Sequence, residues 1–93
     1  MAAPALLSNH GLALLCVARD PGARLRDIAE CVGVTERAAH RIVCELCAAG
    51  YVTRTREGRR NAYEVHPDAP LAHGMLKGHT VGALLGGLAR EAA

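Results

Sequence analysis

The sequence predicts a mainly α domain with one small β-hairpin, an α+β arrangement forming a single domain over residues 1–93. Three observations predict it. Apolar residues recur at helical spacing through the first half of the chain and again near its end. The period then switches to alternation in YVTRT and AYEV, where β-branched and aromatic residues dominate. Capping residues and Gly or Pro breakers fall at the seams between these stretches.

The elements follow in order. Met1 to Ala5 read as a loose tail. SNHGLALLCVARD predicts a first helix over 8–20, capped by Ser8 or Asn9 and ended by Asp20-Pro21-Gly22. LRDIAECVG predicts a short second helix over 25–33. It has Leu25, Ile28, Ala29 and Val32 on one face, and Gly33 is a left-handed cap. Thr35 is a good N-cap for a third helix over 35–49, and Glu36 suits the positive end of its dipole. Ala39, Ile42, Val43 and Leu46 form its buried stripe, and Gly50 stops it. A hairpin over 51–65 follows, with REGRRN as its loop and Gly58 taking a positive φ. After the connector HPDAPLAHG, a last helix over 79–91 presents Val81, Leu84, Leu85 and Leu88 on one face. Gly82, Gly86 and Gly87 weaken it by about 1 kcal/mol each, and small residues on a helix face also permit close approach of another helix.

Composition bounds the rest. Half the residues are apolar (51%), yet Phe and Trp are missing and Tyr51 and Tyr63 are the only aromatics. The core is thus built from Leu, Val, Ile and Ala, and is thin for a monomer of this size. The net charge is only +2, but its distribution is uneven. Between Thr35 and Asn61 six arginines stand against three glutamates, so this segment carries +3 and the remainder −1. Positive charge concentrated in this way suits a surface that meets a polyanion. No run is apolar enough to span a membrane, and the first residues lack the pattern of a secretory signal. The expected location is the cytoplasm, at the nucleoid.

Helix, short helix, tight Gly-containing turn, helix and two-stranded hairpin is the order of a winged helix-turn-helix, here with additional N- and C-terminal helices. The stretches RDIAE..GVTERAAHRIV.EL..AGY and GRRN.YEVHP resemble small bacterial winged-helix transcriptional regulators of the MarR and ArsR type. The resemblance covers about Asn9 to Pro67 and implies binding of double-stranded DNA. In such a fold the third helix lies in the major groove, and the hairpin is a wing on phosphates or in the minor groove. The expected wing contacts are Arg56, Arg59, Arg60 and Asn61. The plainer alternative is a solvated turn whose charges protect an edge strand.

On the third helix the positions away from the apolar stripe, or at its exposed start, are Thr35, Glu36, Arg37, Ala38, His40 and Arg41. Arg37 and Arg41 suit the two major-groove acceptors of guanine, Ala38 a thymine methyl, and Glu36 the cytosine amino group. Arg24 and Arg26, near the start of the second helix, are expected on the backbone.

Cys16, Cys31, Cys44 and Cys47 lie in helix-like segments and read as reduced thiols. Cys44 and Cys47, at i and i+3, share one side of the third helix. A soft metal would want three or four such ligands, and no nearby motif supplies the third, so no metal site or cofactor is expected. Small apolar filler is the plainer reading of these thiols. His10, His40, His66, His73 and His79 are scattered, and no Ser/His/Asp arrangement, carboxylate pair or phosphate loop suggests an enzyme.

The first helix is apolar on nearly all sides, which predicts a homodimer through the terminal helices. The expected function is sequence-specific regulation of transcription, as a repressor. Two alternatives stand beside it: a winged-helix module that binds another protein, and a thiol- or metal-responsive regulator using Cys44 and Cys47.

Overall fold

The computed structural model describes residues 6–88. Ser8 opens α1 (Asn9–Arg19), its side-chain oxygen accepting from the Gly11 amide at 3.2 Å. The chain then turns at Asp20, whose Oδ1 accepts from the Gly22 amide. At the start of α2 (Leu25–Val32) the Arg24 main-chain amide donates to Asp27 Oδ2 at 3.0 Å. Gly33 closes the helix with φ +88°. Thr35 Oγ1 accepts from the Ala38 amide and caps α3 (Glu36–Ala48). The far end is a Schellman motif: Tyr51 N–H donates to the Leu46 carbonyl and Gly50 N–H to the Cys47 carbonyl, with Gly50 at φ +85°.

Strands β1 (Val52–Glu57) and β2 (Arg60–Val65) pair antiparallel, from Val52 opposite Val65 to Glu57 opposite Arg60. The loop expected over REGRRN is therefore shorter: only Gly58 and Arg59 lie outside the ladder. Gly58 has φ +63° and Arg59 a negative φ, as in a two-residue type II′ turn, whose twist matches that of paired strands. Arg56, Arg60 and Asn61 consequently stand on strands and not in a loop. The other edge of β2 is also engaged, because Tyr63 N–H donates to the Pro21 carbonyl at 2.9 Å.

The core lies where these elements meet. Ala13, Leu14 and Val17 come from α1, Ile28 and Ala29 from α2, and Ala39, Ile42, Val43 and Leu46 from α3. Val52 and Tyr63 add the inward face of the hairpin. The stripes expected on α2 and α3 are thus the faces that pack, with Leu25 and Val32 half-buried at the margin of α2. This arrangement is a winged helix.

The C-terminal part differs from expectation. The helix expected over 79–91 is α4 (Val81–Leu85), five residues capped by Thr80 and ended at Gly86, which has φ +32°. Residues 1–5 of the expected tail and 89–91 of the expected helix lie outside the described residues. The expected apolar face splits as well: Val81 and Leu85 are buried, whereas Leu84 and Leu88 are 41% and 43% exposed. A helix so short turns only i and i+4 inward. It is held by the connector after β2, through Val81 N–H to the Ala69 carbonyl and Gly82 N–H to the Pro67 carbonyl, 2.9 and 2.8 Å. The close approach permitted by a small residue is to this segment and not to another helix. A Cβ on Gly82 would stand 3.0 Å from the Pro67 carbonyl oxygen and 3.1 Å from its Cβ.

Gly82→Ala should therefore lower the melting temperature, with overpacking of about 1–3 kcal/mol outweighing the gain of about 1 kcal/mol in helix propensity. A variant that melts higher than the parent would show that the 67–71 segment yields.

Candidate nucleic-acid interface

Burial of one stripe of α3 leaves the opposite side in solvent. Thr35, Arg37, Ala38, His40 and Arg41 line a shallow cleft of about 460 Å³ on that side. Thr35 serves double duty there, because its hydroxyl oxygen already caps the helix.

The hairpin adds cations by parity. Alternate residues of a strand share a face. Because Val52 is buried, Arg54 and Arg56 project from the same face of β1, opposite Tyr63 and Asn61 on β2. A second cleft of about 430 Å³ lies between α3 and the hairpin, lined by Leu25, His40, Arg54, Arg56 and Asn61. A third, of about 330 Å³, lies between the start of α2 and the hairpin and is lined by Arg24, Leu25, Arg59, Arg60 and Asn61, among others. His40 joins the first cleft to the second, and Leu25 and Asn61 join the second to the third. The exposed side of α3 and the tip of the hairpin are thus parts of one continuous surface. Seven arginines line it and no carboxylate does. Among the described residues, none of Arg37, Arg41, Arg54, Arg56 and Arg59 is in an ion pair with a carboxylate; His10 Nε2 meets Glu45 Oε1 at 2.8 Å at the far end of α3.

Not every residue singled out in the sequence joins this surface in the same way. Arg26 and Glu36 are exposed but line none of the three clefts. Arg60 Nη2 donates to the Gly22 carbonyl, so one of its donors ties the hairpin to the α1–α2 turn. Arg56 Nε donates to the Gly58 carbonyl at 3.2 Å, bracing the turn. Arg54 was not among the expected contacts. Its signal was the parity with Val52, and it required knowing that Val52 points inward.

A family model described as the MarR family matches residues 6–60, from the residues before α1 to the start of β2. The chain belongs to the MarR family. No curated protein matches it significantly. MarR proteins are DNA-binding transcriptional regulators and not enzymes. The residues matched in this MarR-family chain include all of α2 and α3 and the turn of the hairpin.

The cysteines of the MarR-family chain sit beside this surface or behind it. Cys44 Sγ lies 3.7 Å from His40 Nε2. Burial pushes the Cys47 thiol up, partly offset by the Arg54 guanidinium. Burial, and next the neighbouring Cys31 thiol, push Cys16 from 9.0 up to about 12. Among the described residues no group of three or more His, Cys, Asp or Glu side chains is placed to hold a metal ion.

These shifts have a sign. A thiol kept protonated in the fold ionises more easily once unfolded, so rising pH favours the unfolded chain. The contribution of Cys16 is intact below about pH 9 and is lost as pH rises toward about 12. Burial raises the Tyr63 phenol too, in the same sense. The melting temperature should fall progressively above pH 9, and Cys16→Ala should flatten that fall. Thermal melts with equal alkaline slopes for the two proteins would contradict it.

Proposed function

We propose that this MarR-family protein binds operator DNA as a two-fold dimer and represses transcription, with α3 in the major groove and the hairpin on phosphates or in the minor groove. The observation that carries this reading is the continuous, carboxylate-free cationic surface that runs from α3 to the hairpin tip. A duplex presents a dense row of phosphates beside base edges, so a continuous cationic surface that includes the exposed side of a helix matches it in charge. In this reading Arg37 and Arg41 reach base edges, with Thr35, Glu36, Ala38 and His40 beside them. Arg24, Arg26, Arg56, Arg59, Arg60 and Asn61 hold the backbone or the minor groove. The site of action is then the nucleoid. Among the described residues no helix is long and apolar enough to cross a membrane.

Support for the dimer comes from apolar surface near the C-terminus, where Met75, Leu76, Leu84 and Leu88 are exposed. Covering them with a second copy would place two recognition helices on half-sites about one helical turn apart.

Two measurements test these claims. Arg37→Ala and Arg41→Ala should each lose about 1–3 kcal/mol of discrimination at the base pair read, whereas Arg59→Ala should weaken selected and random duplexes equally. If Arg37→Ala and Arg41→Ala discriminate like the parent, α3 is not the reader. Failure of the parent to bind any duplex at low salt, with a stable protein partner recovered instead, would favour an interaction module. For the dimer, Leu84→Glu should sediment as a monomer at concentrations where the parent is dimeric; a dimeric variant places the seam elsewhere.

A further inference from the structure

The second cleft, between α3 and the hairpin, is set apart by where its polar side chains come from. His40 is supplied by α3, Arg54 and Arg56 by β1, and the neutral donor Asn61 by β2, over half-buried Leu25 of α2. Arg side chains have donors and no acceptor, so Arg54 and Arg56 match the acceptor-only oxygens of a phosphodiester. Its position is equally specific. On one side of His40 lies the exposed face of α3 with Arg37 and Arg41, and on the far side of Asn61 lies the turn with Arg59. If those two parts enter neighbouring grooves, the phosphodiester ridge that separates the grooves must pass between them, over this cleft.

We propose that the cleft between α3 and the hairpin is a seat for a backbone phosphodiester of duplex DNA, with Arg54 as its central ligand and Arg56, His40 and Asn61 around it. The proposal rests on the DNA-binding reading above and assigns Arg54, which neither the sequence reading nor the family match picks out. Arg54 suits the part because it is pre-positioned. It stands three residues back from the turn, inside the ladder and opposite buried Tyr63, so ordering it costs less than ordering a side chain at the tip. Among the described residues it has no carboxylate partner to give up.

The test is fluorescence anisotropy with the full chain on a selected and a random duplex, over a series of salt concentrations. Arg54→Gln should weaken both duplexes by a similar factor, roughly tenfold, and lower the salt slope by about one. Arg54→Lys should keep the slope. A second arm scans the selected duplex with single neutral methylphosphonate linkages. The parent should lose affinity at the seated linkage, Arg54→Gln should lose much less there, and His40→Gln should stay sensitive at that same linkage, both variants responding normally elsewhere. Because the scan reads the parent as well, a parent sensitive at no linkage overturns the seat even if Arg54→Gln folds poorly. An unchanged slope and a parent-like scan for Arg54→Gln overturn the seat while leaving the DNA reading intact. A loss confined to particular base pairs also overturns it, making Arg54 a base reader. A parent that binds no duplex overturns both.

Discussion

The hairpin is fastened to the helices at Tyr63, and the geometry of the whole surface depends on that attachment. The ring is buried in a core otherwise made of aliphatic side chains, and the main-chain amide donates to the Pro21 carbonyl between α1 and α2. Its cross-strand neighbour is Arg54, so the residue that pins the hairpin also fixes where that arginine leaves the strand. Arg60 repeats the attachment farther out by donating to the Gly22 carbonyl. Two contacts to one turn leave the hairpin little freedom to swing away from α3.

Electrostatics explains why such fastening is needed. Seven arginines share one surface without carboxylates to neutralise them, and like charges so placed repel one another. The repulsion is a cost in the free protein and is relieved by a polyanion. Glu45, an acidic residue of α3, pairs with His10 away from this surface, and Glu36 lies at the helix start, where it favours the dipole. The core opposes the repulsion with completely buried Val17, Ile28, Ile42, Val43 and Val81, each contributing roughly 1.5–3 kcal/mol by leaving water.

The C-terminal part shows the limit of a thin core. α4 offers only Val81 and Leu85 to the interior and relies on backbone hydrogen bonds to the 67–71 segment for the rest of its attachment. What remains apolar and exposed there, Met75, Leu76, Leu84 and Leu88, is surface the described chain does not cover with itself.

The sequence by itself determined the local features. The caps at Ser8, Thr35, Gly33 and Gly50 and the buried stripes of α2 and α3 depend on side chains within one or two turns of one another, so periodicity and residue type were enough to read them. The order of elements, and with it the winged helix and the MarR family, was legible for the same reason. Its misses were in contacts between distant residues. The helix expected over 79–91 stops at Gly86, the loop of six shrinks to Gly58 and Arg59, and Gly82 meets Pro67 instead of another helix. Arg60 reaches Gly22 across 38 positions, and Arg54 joins His40 in one cleft through the packing of β1 on α3. Hydrophobic period and capping chemistry act over a few residues, whereas which cations end up side by side is set only when the hairpin packs onto the helices.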